Sequence, residues 1–307
     1  MTKVAFLFPG QGSQAVGMGT SFEKSPIFQE YFTKANDALG FDLQQICSEG
    51  PSETLTSTEN AQPAILTVSI IALEILKEKY NITPTFAAGH SLGEYSALVA
   101  AGVLDFSVAV KVVHLRGKFM QEAVPKGIGA MAAIIGKSGE DVGVLCAEVS
   151  NDAQFVKPAN YNCTGQVVVS GHKPAVERLL EKAKGKMLDV SAPFHSDLMV
   201  PAANKLREVL EKTEFQNARF PIVNNTANQV LTDSSFFLSS LVGQVVAPVR
   251  WETGIKLMIQ EGVTHFIEFG NGKVLAGMMK RIDKSVKVIG IQSLEDLETH
   301  KELLQSL

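Results

Sequence analysis

Residues 89–93 read Gly-His-Ser-Leu-Gly, a G-x-S-x-G pentapeptide, and their surroundings strongly constrain the fold. A short apolar stretch, residues 85–88, precedes them, and a helix-like run over residues 94–101 follows. A strand, a tight turn and a helix in this order form the setting in which the pentapeptide is a nucleophile elbow. Glycines on both sides remove Cβ atoms that would clash in so sharp a turn. The pattern predicts that Ser91 lies on a strained turn at a helix N-terminus, where free N–H groups can stabilise an oxyanion.

The same residues also allow a purely structural interpretation. Ser91 and Glu94 have the spacing of a capping box, in which a serine and an acid three residues later satisfy free N–H groups at a helix start. A helix cap alone needs neither Gly89 nor Gly93. The pentapeptide and its setting therefore favour Ser91 as a catalytic nucleophile, with the cap as the alternative.

Composition excludes several classes of protein. The 307 residues are 45% hydrophobic and 20% charged, which is typical of a soluble globular chain with a large core. A net charge of −4 argues against a general binder of nucleic acid or membrane surfaces. No apolar run approaches the roughly 18 residues that a transmembrane helix needs. We therefore expect neither nucleic acid nor a membrane as a partner.

The cysteines indicate a reducing compartment. There are three, an odd number, and they lack the spacing of a disulfide framework or a metal site: Cys47, Cys146 and Cys163. We therefore predict a cytoplasmic protein without a bound metal, in which the cysteines are small buried apolar residues.

Predicted strands alternate with predicted helices along most of the chain. This order is typical of a parallel sheet covered by helices on both faces. Residues 128–190 differ, because they follow the ferredoxin-like order β-α-β-β-α-β. Within them we predict strands at residues 129–135, 155–159, 166–170 and 186–190, and helices at residues 138–149 and 173–183.

The predicted fold class is therefore α/β, in two parts. A large α/β-hydrolase-like domain with a parallel sheet would comprise residues 1–126 and 192–307. An inserted small ferredoxin-like α+β subdomain would comprise residues 127–191. We expect the functional site in the cleft between them, because small-molecule sites are common at such boundaries.

A serine hydroxyl needs a base, and His195 is the best placed of the six histidines. It follows the strand predicted at residues 186–190 and precedes a helix, at the kind of edge where open α/β sheets place ligands. No acid stands out as the third member of a triad. Asp197 and Glu94 are open alternatives, and a backbone carbonyl can also hold the imidazole tautomer.

An arginine interrupts the apolar stripe of the helix predicted to begin after Asp105. Arg116 lies three or four residues from the apolar side chains at positions 112, 113, 119 and 120. A buried guanidinium needs an anionic partner. Spacing alone slightly favours a structural salt bridge or a side chain that reaches solvent at the edge of the stripe. The functional alternative is a clamp for a substrate carboxylate or phosphate.

Short segments in order along nearly the whole chain, from about residue 3 to residue 290, form a specific combination. They are Phe8-Pro9-Gly10-Gln11-Gly12-Ser13-Gln14, Gln62-Pro63-Ala64, Gly89-His90-Ser91-Leu92-Gly93-Glu94, Arg116, Asn160-x-Asn162, Gly165-Gln166-Val167-Val168, Pro193-Phe194-His195-Ser196 and Gln244-x-x-x-Pro248-Val249-x-Trp251. Together they resemble the malonyl-CoA:acyl carrier protein transacylase family, although no single segment is specific to it.

The resemblance implies catalytic roles for five residues. Ser91 would be the acylated nucleophile and His195 the general base. The main-chain carbonyl of Gln244 would orient His195, which would explain the absence of an acid. The backbone N–H groups of Gln11 and Leu92 would form the oxyanion hole.

It also implies how the substrate is held. Arg116 would bind the free carboxylate of the malonyl group, and Asn160 and Asn162 would line the cleft. Phe194 beside the base would leave no room for a branched acyl group. The implied partners are malonyl-CoA as substrate and acyl carrier protein as acceptor, without a cofactor, and we expect a monomer.

Three other functions remain open at this level. A serine thioesterase or lipase would share the elbow but use water as acceptor. An acyltransferase of a polyketide pathway would use the same residues with another extender unit. A non-catalytic acyl-CoA-binding protein would not need Ser91, His195 and Arg116 together.

Overall fold

The strands of the protein form two sheets in a computed structural model that describes residues 2–190 and 192–307. The strands in these residues are β1 (Lys3–Phe8), β2 (Phe86–Gly89), β3 (Gly129–Ile135), β4 (Val156–Cys163), β5 (Gln166–His172), β6 (Gly185–Met187), β7 (Ile222–Val223), β8 (Val230–Leu231), β9 (Val263–Phe269) and β10 (Lys287–Ile291).

Helices cover the sheets and connect their strands. They are α1 (Pro26–Leu39), α2 (Leu43–Glu49), α3 (Ser52–Thr56), α4 (Thr58–Lys79), α5 (Gly93–Ala100), α6 (Phe106–Glu122), α7 (Gly139–Val149), α8 (Lys173–Lys182), α9 (Val200–Leu210), α10 (Phe237–Val246), α11 (Trp251–Gln260), α12 (Val274–Ile282), α13 (Leu294–Thr299) and α14 (Lys301–Ser306). Short 3₁₀ turns lie at Thr20–Phe22, Asp197–Met199 and Ser234–Phe236.

The larger sheet has six strands in the order β10-β9-β1-β2-β7-β8. All its neighbours pair in parallel except β7 and β8, which form an antiparallel hairpin. Its central strands are buried on both faces, as in a sheet with helices on each side. The predicted parallel sheet is confirmed, and β8, which pairs antiparallel with β7, is an addition that was not predicted.

The smaller sheet has the order β4-β5-β3-β6 and is antiparallel throughout. With α7 and α8 it shows the predicted β-α-β-β-α-β order and a separate apolar core. Three strand ends were predicted wrongly: β4 continues to Cys163 instead of residue 159, β5 continues to His172 instead of residue 170, and β6 ends at Met187 instead of residue 190. The domain boundaries stay a prediction, and Ser191 at one of them lies outside the described residues.

Backbone hydrogen bonds join β4 of the smaller sheet to the segment that follows α10. The N–H of Val249 donates to the carbonyl of Ala159 at 2.8 Å, and the N–H of Tyr161 donates to the carbonyl of Val249 at 2.8 Å. This connection brings Asn160 and Asn162 close to the end of α10, which carries Gln244.

The helix α4 is long and apolar enough to cross a membrane by length and composition alone. However, 83% of its apolar window is buried inside the protein. Its long run of buried residues packs in the main core beside α6, which is the environment of a core helix in a globular protein.

Candidate active site

Ser91 lies on a strained turn between β2 and α5. Its φ of 51° is in the left-handed region, which a non-glycine residue adopts at a cost. The N–H of His90 donates to the carbonyl of Phe8 at 2.9 Å, so the turn is anchored to β1. The N-cap of α5 is Leu92, and no side chain caps the helix. The elbow geometry is present, and the capping-box interpretation of Ser91 was wrong.

Both flanking glycines are required by close backbone contacts. A Cβ on Gly89 would lie 1.9 Å from the carbonyl group of Gly93, and a Cβ on Gly93 would lie 2.0 Å from the carbonyl oxygen of Phe8. Real Cβ atoms do not approach backbone atoms so closely. The turn can therefore be this sharp only because both positions lack a side chain.

We expect Gly93→Ala to destabilise the protein by about 3 kcal/mol or more, because the new methyl group meets rigid backbone. Gly143→Ala is the matched control, since Gly143 lies inside α7 with no atom within 4 Å of its Cβ position. That control should be neutral or stabilise by up to about 1 kcal/mol. Urea unfolding monitored by circular dichroism measures both, and equal stabilities would contradict the steric argument.

His195 contacts Ser91 in the geometry of a general base. Its Nε2 lies 2.8 Å from the Ser91 Oγ, and its Nδ1 lies 2.8 Å from the carbonyl oxygen of Gln244. A carbonyl oxygen only accepts hydrogen bonds, so Nδ1 carries the proton and Nε2 is free to accept from the serine. Like Ser91, His195 has a positive φ, 57°.

Neither acid considered for the third position reaches His195. Asp197 is exposed and forms an ion pair with Lys157. Glu94 is buried, but its carboxylate accepts hydrogen bonds from Gln244 and Asn225 instead. The imidazole is therefore oriented by a backbone carbonyl.

Burial keeps His195 neutral. It lowers the pKa of the imidazole from 6.5 to about 3, and the nearby positive charge of Arg116 acts in the same direction. A neutral imidazole can accept a proton, so the ring is in the protonation state that a base requires at neutral pH.

Arg116 reaches from α6 into the same cluster. Its Nη2 donates to Ser91 Oγ at 3.1 Å and to Gln244 Oε1 at 2.9 Å, and its Nη1 donates to Gln62 Oε1 at 2.8 Å. The residue is 1% exposed and forms no salt bridge with a described residue. It is therefore neither a structural ion pair nor a side chain at the solvent edge. A buried cation held only by neutral oxygens is suited to receive an anion.

Two backbone N–H groups are placed near the serine. Leu92 follows Ser91 at the start of α5, and Gln11 lies in the loop after β1. That loop packs tightly on the elbow, since a Cβ on Gly10 would lie 2.3 Å from the carbonyl oxygen of His90. Within residues 2–190 and 192–307, neither N–H donates a hydrogen bond. Both N–H groups are therefore available as hydrogen-bond donors, and their role in an oxyanion hole stays a prediction.

The remaining residues of the predicted site lie around this cluster. Asn162 Oδ1 is 2.8 Å from the Nε2 of His90, which ties β4 to the elbow. Asn160 is 6% exposed and bridges to Val249 through its backbone. Phe194 is 7% exposed and directly precedes His195.

Sequence reasoning missed Asn225. Its Oδ1 accepts the N–H of Ser91 at 2.6 Å, and its Nδ2 donates to the carbonyl of Gly89 at 2.7 Å, so one amide holds both sides of the turn. A signal was present: two asparagines, Asn224 and Asn225, directly follow β7 of the main sheet. Polar residues at that edge of an α/β sheet are candidates for a site.

Two further roles were missed. Gln62 was noted only as part of a motif, yet it holds the Arg116 guanidinium. The Gln244 side chain was given no role, yet its amide connects Arg116 with Glu94. As for metals, no group of three or more His, Cys, Asp or Glu side chains lies together in the described part of the chain.

A serine on a strained elbow, a neutral histidine and a buried arginine on an α/β fold are features of enzymes that transfer acyl groups through a serine. The acyl transferase domain model matches residues 5–296, and the chain belongs to this family.

Relatives of known sequence and structure cover nearly the whole chain. Malonyl CoA-acyl carrier protein transacylase of Bacillus subtilis is 48% identical over 305 residues, 97% of this chain and 96% of that protein. The structure of the transacylase of that name from Coxiella burnetii superposes with a TM-score of 0.96 at 40% identity and covers 99% of this chain and 98% of that one. A malonyl-transacylase solved in complex with its type II PKS acyl-carrier protein superposes with a TM-score of 0.95 at 42% identity, covering 98% and 100%.

Proposed function

We propose that the chain transfers the malonyl group of malonyl-CoA to the phosphopantetheine thiol of acyl carrier protein, by a ping-pong mechanism through a malonyl-Ser91 intermediate. One observation carries the proposal: the buried guanidinium of Arg116 lies 3.1 Å from Ser91 Oγ and forms no salt bridge within residues 2–190 and 192–307. An acyl group that ends in a carboxylate would supply that partner. The names of the relatives agree with this substrate and acceptor.

In the first half-reaction, Ser91 Oγ attacks the thioester carbonyl of malonyl-CoA while His195 Nε2 takes the hydroxyl proton. The N–H groups of Gln11 and Leu92 stabilise the oxyanion of the tetrahedral intermediate. The C–S bond then breaks, and the CoA sulfur leaves with the proton from the imidazolium. Malonyl-Ser91 remains, and the histidine is neutral again.

In the second half-reaction, the phosphopantetheine thiol gives its proton to His195 and attacks the ester carbonyl of malonyl-Ser91. The ester C–O bond breaks, and His195 returns the proton to Ser91 Oγ. The malonyl group leaves as a thioester on the carrier protein. Because both thiols use the same serine in turn, the kinetics are ping-pong.

Arg116 has two effects in this scheme. It binds the malonyl carboxylate and so offsets the free energy that is lost when this carboxylate moves from water into a buried site. Before the substrate arrives, its charge also lowers the pKa of His195. Once the carboxylate neutralises that charge, the imidazolium formed during attack becomes easier to accommodate.

The proposed reaction needs no cofactor. We also expect the protein to be a cytoplasmic monomer that acts on soluble carriers. Asn160, Asn162 and Phe194 would form the wall that faces the acyl group and the pantetheine arm. This wall belongs to the proposed insert and to the segment that follows it, with the large domain forming the other wall of the cleft.

Intact-protein mass spectrometry after mixing with malonyl-CoA tests the proposal directly. The wild type should gain one malonyl group, and adding a carrier protein that bears phosphopantetheine should remove it and malonylate the carrier. Release of free malonate at the same rate without the carrier would instead indicate a hydrolase. Initial rates at several concentrations of both substrates should give parallel double-reciprocal lines.

The identity of the carrier is a separate question. One structural relative was solved with a type II PKS acyl-carrier protein, so a polyketide carrier is a second candidate acceptor. Comparing kcat/KM for a fatty-acid carrier and a polyketide carrier from the same cell discriminates between them.

The pH dependence of kcat/KM should reflect the protonation state of His195. Because burial holds the pKa of His195 near 3, the base stays unprotonated as the pH falls from 8 to 5. We expect kcat/KM for acetyl-CoA, whose acyl group has no carboxylate to titrate, to show no decline around pH 6.5. A limb with an apparent pKa near 6.5 that persists in Glu94→Gln would mean that the imidazole is solvated in the free enzyme, because the pKa of Glu94 itself is about 7.

A further inference from the structure

Glu94 is a buried carboxylate without a function in the scheme above. It is 1% exposed and lies in the first turn of α5, three residues after the nucleophile. Its Oε2 accepts hydrogen bonds from Gln244 Nε2 at 2.8 Å and from the backbone N–H of Asn225 at 3.0 Å. The hydroxyl of Ser240 donates to its Oε1 at 3.5 Å. Burying a carboxylate among neutral donors is unfavourable, so its presence needs a physical reason.

The amide of Gln244 has a single orientation that suits all its neighbours. Its NH₂ group donates to Glu94 Oε2 and to the backbone carbonyl of Ser91, at 2.8 and 3.0 Å. Its Oε1 accepts from Arg116 Nη2 at 2.9 Å. An ionised carboxylate only accepts and a guanidinium only donates, so the NH₂ group must face Glu94 and the oxygen must face Arg116. A flipped amide would oppose donor to donor and acceptor to acceptor.

Ionised Glu94 fits this arrangement best. Burial raises its pKa to about 7, while the hydrogen bonds from Gln244 and Asn225 and the charge of Arg116 act in the opposite direction. Both groups that contact Oε2 can only donate, and a proton on that oxygen would break one of these contacts. The Glu94 carboxylate is thus the acceptor that begins a chain of hydrogen bonds. The chain runs through the Gln244 amide and the Arg116 guanidinium to Ser91 Oγ.

We propose that Glu94 is a positioning residue for malonyl selectivity: through the Gln244 amide it holds the Arg116 guanidinium beside Ser91. This inference rests on the proposed function, because it assigns to Glu94 the orientation of the group that would bind the malonyl carboxylate. The base does not depend on this path, since His195 is held by the backbone carbonyl of Gln244 and not by its amide.

The test compares malonyl-CoA with acetyl-CoA as donors to Ser91 in Glu94→Gln. A glutamine at position 94 removes the negative charge and offers one acceptor oxygen instead of two, so the Gln244 amide loses the charged acceptor that fixes its orientation. We expect the second-order rate constant for malonylation of Ser91 to fall on the order of 10- to 100-fold. Acetylation, which makes no use of the guanidinium, should stay nearly unchanged. Intact-protein mass spectrometry over time measures both.

Glu268→Gln is the matched control. Glu268 is also a fully buried carboxylate, and it accepts backbone N–H groups of Leu275 and Ala276 at 3.0 and 2.9 Å, away from the elbow. Its replacement should lower stability without changing the ratio of malonylation to acetylation. If Glu94→Gln does not fold, Glu94→Met decides, because an apolar side chain of similar size fills the same space and removes the acceptor of the Gln244 amide.

Each outcome has one meaning. A selective loss of malonylation in either variant supports the role of Glu94 or of the amide that it orients. Equal losses with both donors, or no loss, in a folded variant overturn it. A wild type that acquires no malonyl group overturns the proposed function and this inference together. A malonylated wild type with an unchanged ratio in the variants overturns only the inference.

Discussion

Ser91→Ala should abolish the acyl-enzyme and lower kcat for transfer by about 10⁴- to 10⁶-fold. The reason is geometric: Ser91 Oγ contacts both His195 and Arg116, at 2.8 and 3.1 Å. Without this hydroxyl, no activated nucleophile is present to attack the thioester carbonyl of malonyl-CoA. The measurement is carrier malonylation under saturating malonyl-CoA, together with the mass of the protein after incubation.

The double variant Ser91→Ala/His195→Ala sharpens this prediction. If the two residues act as one unit, removing both should cost no more than removing Ser91 alone. Losses that multiply would show that His195 also acts independently of the serine. Ser96→Ala is a suitable control, because Ser96 is buried in α5, five residues after Ser91, and its hydroxyl makes no hydrogen bond in the described residues.

Local patterns in the sequence predicted the elements that carry the nucleophile and the arginine. The strand, turn and helix around Ser91 follow from two glycines and an apolar flank, and the structure has β2 ending at Gly89 and α5 starting at Gly93. The start of α6 follows from Asp105, whose side chain accepts from the N–H of Val108. Such features depend on contacts within a few residues, which a single sequence displays directly.

His195 was selected on grounds that the structure only partly supports. The strand thought to precede it ends at Met187 and belongs to the smaller sheet, so His195 does not follow a strand of the main sheet. It lies between β6 and the 3₁₀ turn at Asp197–Met199, has a positive φ and contacts Ser91 from there. Composition and periodicity do not register such a position.

The hydrogen bonds that complete the cluster were beyond prediction for another reason. Asn225 and Ser91 are 134 residues apart, and Gln244 and Arg116 are 128 residues apart. An amide side chain can bond to many partners, and its sequence neighbours say nothing about which one. The buried position of Glu94 is similar: the motif identified the residue, and only the fold shows what its carboxylate accepts.

Arg116→Ala is the second substitution with a large expected effect. Removing the guanidinium leaves the malonyl carboxylate buried without a charged partner, which should cost on the order of 2–5 kcal/mol of malonyl recognition. That energy corresponds to a loss of roughly 30- to 4,000-fold in kcat/KM for malonyl-CoA. Acetyl-CoA has no carboxylate to lose a partner. The ratio of the two kcat/KM values is therefore the measured quantity.

The Arg116→Ala prediction also concerns the rate at which acetyl-CoA acetylates Ser91. The charge of Arg116 contributes to the low pKa of His195, so its removal should raise that pKa and strengthen the base. Acetylation of Ser91 should therefore hold steady or rise while malonylation collapses. Arg178→Ala is the control, because Arg178 is a partly buried arginine of α8 that donates to the carbonyl of Val149. Equal losses with both donors in Arg116→Ala would mean that the arginine supports the elbow and not the carboxylate.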